Sequence, residues 1–227
     1  MQVARSMDSR WLSNAYLVAQ DGSAVYVDSG APLEPLQQAA RDWGVEPTHV
    51  LRTHSHADHV EHEDELGLPV VTSSLSLGGL EIEAIPTPGH SDDMVCFVVN
   101  NELVFSGDTL FKDAVGGGDF TEVKHSVMDI YMAMPHDRRV LPGHTDETTI
   151  GREFEQNPFV RVWRGIEPEG TERVRVAGRD AQLIVWSPDY DGKGKAWVRF
   201  DDNTGFKDNT GFEDNTDAIV GGSRVER

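Results

Sequence analysis

Apolar and polar positions change their period several times along the chain, and each change marks an element. Asn14 to Ala19 and Ala24 to Val27 are strand-like runs joined around Asp21-Gly22, a pair suited to a tight hairpin. Leu33, Leu36, Ala40 and Trp43 then recur at helical spacing, with Pro32 and Pro35 at the front and Gly44 placed to end the helix. The β-branched stretch Thr48 to Thr53 predicts a strand, Val60 to Leu66 a helix, and Pro69 to Thr72 a short strand. Leu80, Ile82 and Ala84 alternate with Glu81 and Glu83, as in a half-buried strand. Met94 to Val99 and Leu103 to Phe105 flank Asn100-Asn101, a second tight-turn pair. Ser126 with Asp129 resembles a capping box opening a helix whose apolar face is Val127, Ile130, Tyr131 and Met134, stopped by Pro135. Arg139 to Leu141 predicts one more strand. Strands alternating with helices in both halves give an α/β class.

Beyond Gly165 the character shifts. Glu167-Pro168-Glu169-Gly170 reads as a linker, and Arg173 to Ala177, Ala181 to Trp186, Lys195 to Phe200 and Ala218 to Val220 read as strands between Gly, Pro and Asp signals. The expected organisation is a main domain over residues 1–166 and a small β-rich, barrel-like extension over 167–227. Within the extension Asn203-Thr204-Gly205-Phe206-Lys207-Asp208 returns as Asn209-Thr210-Gly211-Phe212-Glu213-Asp214. It lacks the Gly-Gly-x-Gly-x-Asp pattern of calcium β-rolls, so residues 203–216 are expected to form a duplicated flexible loop without chemistry.

Composition sharpens this. A chain of 227 residues holds one sizeable core plus an appendage without disulfides. Cys96, the single cysteine, sits inside an apolar run and is expected to be buried and idle. No apolar run reaches membrane-spanning length and Met1 to Arg10 lacks the apolar stretch of a secretory signal, so the expected location is the cytoplasm, with no membrane partner. A formal net charge of −19 argues against phosphate backbones and so against a nucleic-acid partner.

The chemistry concentrates in Thr53-His54-Ser55-His56-Ala57-Asp58-His59, directly after a predicted strand. Alternation sets His54 and His56 on one side of an extended segment, while Asp58 and His59 sit where the chain can turn into a helix. Imidazole and carboxylate are ligand types for zinc and, less exclusively, iron, manganese and cobalt. Three further candidates stand at Gly-marked turns beside apolar runs: His90 in Pro88-Gly89-His90, Asp108 in Ser106-Gly107-Asp108, and His144 in Pro142-Gly143-His144. His49, His62, His125 and His136 lie outside this set and are expected at the surface or in satisfied core positions.

This pattern resembles the metallo-β-lactamase superfamily. Thr87 to Ser91, Gly107 to Phe111, Leu141 to His144, Thr148 to Glu153 and Asn157-Pro158-Phe159 look most like its hydroxyacylglutathione hydrolase, or glyoxalase II-like, branch, over roughly the first three-quarters of the chain. The resemblance implies an αββα sandwich with two divalent metal ions, zinc in the first place and iron or manganese as alternatives. It implies His54, His56 and His90 on one ion, Asp58, His59 and His144 on the other, and Asp108 bridging. Asp28 matches an early superfamily aspartate and is read as a second-shell or structural residue. The implied activity is hydrolysis of a small-molecule acyl thioester by a metal-bridging hydroxide, with Asp58 and Asp108 as the catalytic carboxylates.

Two departures bear on substrate. Glu61 and His62 stand where relatives carry small residues, and Ala114-Val115-Gly116-Gly117-Gly118 has no cation where relatives commonly place one for a carrier carboxylate. Lys112 and Lys124 are the remaining substrate-binding candidates. The helical glutathione-binding domain of some relatives has no counterpart. Alternatives from the same motifs are a persulfide dioxygenase with one iron on His54, His90 and Asp108, then a lactonase, and last a non-enzymatic metal-binding protein.

Overall fold

Asp21 and Gly22 both take positive φ, 50° and 83°, and Asn100 and Asn101 do the same at 51° and 56°, the left-handed pair that matches the twist of a two-residue hairpin. The computed structural model describes residues 1–201 and 216–227. The duplicated segment Asn203 to Asp214 therefore lies outside the described residues.

In chain order the strands are β1 (Gln2–Met7), β2 (Asn14–Gln20) and β3 (Ser23–Val27), then helix α1 (Glu34–Trp43) and strand β4 (Glu46–Leu51). Helices α2 (Ala57–Val60) and α3 (Glu63–Leu66) precede β5 (Val70–Val71), β6 (Leu75–Leu77), β7 (Leu80–Pro86), β8 (Val95–Val99) and β9 (Leu103–Gly107). The chain continues through β10 (Leu110–Phe111), β11 (Ala114–Val115), α4 (Phe120–His125), β12 (Arg139–Pro142), β13 (Thr148–Thr149), α5 (Ile150–Gln156) and α6 (Pro158–Trp163). It closes with β14 (Glu172–Val176), β15 (Arg179–Ser187), β16 (Lys195–Phe200), β17 (Asp217–Gly221) and β18 (Val225–Glu226).

Packing divides the described chain into two compact units. The first comprises Met1–Pro86, Val95–Gly107 and Arg139–Asp146; the second comprises Thr87–Met94, Asp108–Arg138 and Glu147–Arg227. This line differs from the compositional change at residue 167, because the C-terminal strands share a unit with the residues between Asp108 and Arg138.

The first unit is two sheets face to face. One has the order β1-β2-β3-β4-β5; the other includes the order β12-β9-β8-β7-β6. Alternation along β2 decides which side chain goes where. Tyr16 and Val18 join Val25, Leu51, Phe97, Val99, Phe105 and Leu141 in a core between the sheets. Ala15, Leu17 and Ala19 face Leu36 and Ala40 of α1 in a second core. Tyr16 meets Phe105 edge to face at 5.3 Å between centroids. The sheet β1–β5 is antiparallel from β1 to β3 and parallel from β3 to β5, so β3 and β4 end at the same edge. In the other sheet β9 and β12 run parallel and also end together. Asp28, the Thr53–His59 loop, Asp108 and His144 follow the ends of β3, β4, β9 and β12 in sequence.

The second unit contains the β10–β11 hairpin, α4 to α6, and a curled antiparallel sheet in the order β17-β16-β15-β14-β18. Val174, Val176, Leu183, Val198, Phe200 and Val220 fill one face of that sheet. Trp197 packs among Phe120 and Trp163, at 5.0 and 6.2 Å between centroids, and donates from Nε1 to Asp217 at 2.6 Å. Trp186 stays 37% exposed under the guanidinium of Arg227, so it covers little of the unit.

Some expected boundaries shift. The helix expected from Ser126 begins six residues earlier at Phe120, because Asp119 accepts from the Glu122 amide at 2.9 Å, a true N-cap. Ser126 instead donates to the Pro88 carbonyl at 2.8 Å, and Ser126–Ile130 forms a π turn followed by a 3-10 turn over Tyr131–Ala133. The single helix expected over Val60 to Leu66 is two short helices, and β1, β6 and β18 had no sequence signal strong enough to announce them. Cys96 is buried in β8, as its apolar neighbours required.

Candidate metal centre

The loop after β4 runs extended through His56 and turns into α2 at Ala57, so Asp58 and His59 occupy its first turn. Three neighbouring imidazoles gather there. His54 Nε2 lies 3.1 Å from His56 Nδ1, and the His54 and His59 rings are 4.2 Å apart between centroids. His144, after β12, brings its Nε2 to 3.4 Å from Asp58 Oδ2, and His59 Nε2 lies 3.7 Å from the same oxygen. Asp58, His59 and His144 form one group able to hold a metal ion.

The opposite ring nitrogens show how this is held. His59 Nδ1 meets Asp28 Oδ2 at 2.8 Å, and His144 Nδ1 meets the Leu12 carbonyl at 3.0 Å. An oxygen acceptor at Nδ1 fixes the proton there and leaves Nε2 as a lone-pair donor. Thr53 Oγ1 donates to Asp28 Oδ2 at 2.8 Å, so toward His54 Nδ1, 3.1 Å away, it acts as acceptor. Asp28 also accepts the Thr53 amide at 2.8 Å, and this buried carboxylate thereby orients both Thr53 and His59.

Backbone strain collects in the same place. Leu12, Asp28 and Thr145 all take left-handed φ, of 58°, 54° and 69°. For a branched side chain such as Thr this conformation is costly, and it persists only where surrounding contacts over-determine it. Thr145 is held by Asn14 Nδ2, which donates to its carbonyl at 2.9 Å and to the Pro142 carbonyl at 3.0 Å. Gly30 is required by close approach: a Cβ there would lie 1.6 Å from the Asp58 carbonyl oxygen.

In the second unit His90 and Asp108 form a matching pair, with Nε2 to Oδ2 at 3.6 Å and His90 Nδ1 on the Gly117 carbonyl at 2.8 Å. The run Gly116-Gly117-Gly118 now has a reason. A Cβ at Gly116 would meet the Asp108 carbonyl oxygen at 1.8 Å, and one at Gly118 the Gly89 carbonyl oxygen at 2.0 Å. The segment is pressed against the backbone of the ligand candidates and orients His90, a role that composition concealed.

Donor chemistry and spacing both fit divalent ions. Bonds of about 2.0–2.1 Å in a tetrahedral arrangement put neighbouring ligand atoms about 3.3 Å apart. The separations between Asp58 and His144, Asp58 and His59, and His90 and Asp108 are 3.4, 3.7 and 3.6 Å. These are long for hydrogen bonds and suited to atoms sharing an ion.

Residues 8–60 match the metallo-beta-lactamase superfamily. The chain carries a metallo-beta-lactamase superfamily domain. The "Probable metallo-hydrolase YqgX" of Bacillus subtilis is 28% identical to it over 194 residues, 65% of this chain and 92% of that protein. A "Hydroxyacylglutathione hydrolase" of Xylella fastidiosa is 36% identical over 152 residues, 56% of this chain; the match spans 57% of the hydrolase's own length. Among solved structures, the BLEG-1 B3 metallo-beta-lactamase superposes with TM-score 0.64 at 26% identity, covering 70% of this chain and 99% of that one. ETHE1 from Myxococcus xanthus superposes with TM-score 0.62 at 25% identity, covering 70% and 84%. TTHA1623, solved in a di-iron-bound form, gives TM-score 0.58 at 29% identity over 68% and 98%. The metallo-beta-lactamase fold is therefore the fold of this domain, and divalent metals, typically two, are what the superfamily binds.

Other candidates fall outside the cluster. His62 Nδ1 pairs with Glu65 at 2.8 Å, His125 with Asp129 at 2.7 Å, and His136 stacks on Phe154. His49 meets the neighbouring Thr48 hydroxyl. Lys124 lies near enough to help hold the Glu169 carboxyl below the ordinary carboxylate range, mainly the work of its hydrogen bond from Arg199. Lys112 is partly buried. Burial pushes the Glu63 carboxyl up, against the opposing charge of Arg52 at 3.3 Å. The Asp8–Ser13 loop beside His144 had no signal in the sequence. Among the described residues no helix is long and apolar enough to cross a membrane.

Proposed function

We propose that the chain is a metal-dependent hydrolase of the glyoxalase II-like type, cleaving a small-molecule acyl thioester in the cytoplasm. The observation that carries this reading is the Asp58, His59, His144 group, in which both imidazoles have Nδ1 fixed on an oxygen and Nε2 turned toward one carboxylate. By motif, His54, His56 and His90 complete one ligand set, Asp58, His59 and His144 the other, and Asp108 joins them. Divalent ions on these groups, zinc by preference, would supply a Lewis acid for the acyl carbonyl and lower the pKa of an attacking water.

The chain's own residues do the rest. The Asp58 carboxylate takes a hydrogen bond from the attacking water and aims it. Asp28 and the Leu12 carbonyl keep His59 and His144 in the tautomer that donates through Nε2. A thiolate leaves without a proton, so a thioester needs no general acid, whereas an amine leaving from an amide does. Residues 167–227 contain no histidine and so offer no imidazole to either ligand set.

A persulfide dioxygenase with one iron on His54, His90 and Asp108 is the second reading, which the same motifs support. Metal analysis of the protein as purified, followed by assays with S-lactoylglutathione and glutathione persulfide, separates the two. The expected result is two metals per chain, thioester turnover, and loss of both in Asp108→Ala. One iron per chain with oxygen consumption on the persulfide would replace the hydrolase reading.

A further inference from the structure

Gly116-Gly117-Gly118 has no side chain with which to hold itself, and glycine gives the backbone its greatest freedom. Yet the Gly117 carbonyl stands 2.8 Å from His90 Nδ1, where an oxygen acceptor keeps the proton on that nitrogen. The run must therefore be fixed from its ends. At the far end the Asp119 amide donates to the Gly89 carbonyl at 2.8 Å. At the near end the run continues the β10–β11 hairpin, in which Leu110 pairs with Val115 and Phe111 with Ala114, and the Gly116 amide donates to the Thr109 carbonyl at 3.1 Å. A hairpin of two-residue strands is too short to hold its own shape.

What holds it is a grip on its main chain at the turn, where Asp113 is left-handed with φ of 66°. Glu153 Oε2 accepts the Asp113 amide at 2.8 Å, Ser187 Oγ donates to the Asp113 carbonyl, and Asn157 Nδ2 donates to the Ala114 carbonyl at 3.0 Å. All three side chains are buried. The grip is itself braced. Glu153 also accepts from Asn157 Nδ2 at 3.0 Å, Thr148 Oγ1 at 2.5 Å and Arg152 Nη1 at 2.6 Å, and Arg152 reaches the Asp113 carboxylate at 2.8 Å. Asn157 Oδ1 meanwhile caps α6 by accepting the Phe159 amide at 3.0 Å. A buried carboxylate is unfavourable unless donors surround it, and a satisfied network of this kind is rigid. Here the rigidity bears on main-chain groups of Asp113 and Ala114, directly ahead of Val115 and the glycine run.

We propose that Asn157, Glu153 and Ser187 are positioning residues for His90: by fixing the main chain at Asp113 and Ala114 they set the Gly117 carbonyl, and through it the tautomer that leaves a lone pair on His90 Nε2 for a metal. The positioning stands on the hydrogen bonds; only the use of Nε2 rests on the hydrolase reading above.

The test uses the full chain and Asn157→Ser, which retains an acceptor to cap α6 but loses the reach to Ala114. Nitrogen NMR of histidine-labelled, metal-free protein at alkaline pH reports the imidazole tautomer, with His90→Gln assigning the signal. Melting curves confirm folding, and Val174→Ala, in the core of the C-terminal sheet, is the destabilised control. Wild type is expected to carry the proton on His90 Nδ1, Asn157→Ser to shift it toward Nε2, and Val174→Ala to keep the wild-type form. Cobalt titration of the same proteins should show one site weakened about tenfold in Asn157→Ser, the low end for a lost outer-shell contact, with the other site unchanged. Should Asn157→Ser not fold, Ser187→Ala removes only the donor to the Asp113 carbonyl and is expected to shift the tautomer in the same direction. A wild-type His90 protonated on Nε2, a tautomer unchanged in the folded variants, or an equal shift in Val174→Ala overturns the proposal. A shifted tautomer with both cobalt affinities unaltered leaves the positioning standing and removes His90 from the metal, so that the ligand assignment falls alone.

Discussion

The strand ends around Asp28, Thr53 and His144 and the curled C-terminal sheet differ in where most of their polar groups are held, although the sheet buries one ion pair, Lys195 with Asp189 at 3.0 Å. In the first region Asp28 is buried with three hydrogen bonds, and three non-glycine residues sit in left-handed backbone. In the second, Arg173 pairs with Asp201, Arg199 with Glu169 and Arg227 with Glu172, all on the surface. Its tight turn, Ala177-Gly178, has the positive φ values that a hairpin ordinarily requires. Exposed ion pairs contribute little to stability. The C-terminal sheet is therefore held mainly by Val, Phe and Trp burial, whereas the strand ends hold a chemical arrangement at a cost in strain. Local rules are broken where side chains must be aimed and obeyed where the chain only needs to pack.

The largest effect that would break this contrast is expected from the packed side. Trp197→Ala removes an indole that is 3% exposed and should lower unfolding free energy by about 3–5 kcal/mol in denaturant titrations. Its effect on metal affinity should be far smaller; the reverse order would make the sheet part of the ligand scaffold.

Next comes Asp28→Asn, which keeps the shape of the side chain and removes its charge. Metal affinity measured by chelator competition should fall about 10- to 100-fold, the range for losing an outer-shell carboxylate behind a ligating histidine. Unchanged affinity would reduce Asp28 to a packing residue.

The smallest effect sharpens the comparison within the first unit. Burial raises the Glu63 carboxyl pKa, so the folded state favours its neutral form more than the unfolded chain does. Its contribution is fully present below the unfolded pKa and is lost as pH rises through the folded pKa. Glu63→Gln should therefore gain stability relative to wild type between acidic and neutral pH. A variant that loses ground over that interval would show that the Arg52 pairing outweighs burial.

Much of this was legible beforehand. The Asp21-Gly22 and Asn100-Asn101 turns, the α1 stripe and the His54 to His59 loop all announce themselves through local chemistry, and the resemblance added Asp28. Other features depend on contacts distant in sequence. Leu12 carries no residue-level hint of left-handed backbone; the His144 side chain, 132 positions away, gives its carbonyl a purpose. Ser126 and Asp129 imitate a capping box, while the operative cap is Asp119, hidden behind a glycine run. That run looked like a missing cation site. It is a close-approach surface, visible only once His90 and Asp108 are laid against it.

The contact between Gly30 and the Asp58 carbonyl also limits how this corner of the molecule can be rebuilt. The space a side chain would occupy at position 30 is already filled by the main chain of the ligand loop, 1.6 Å from where its first carbon would stand. No single substitution at 30 can be absorbed by trimming a neighbour, because a backbone oxygen cannot be trimmed. The stretch after β3 and the start of α2 are thus fitted to each other backbone to backbone, and a ligand loop transplanted in this geometry needs a glycine opposite it.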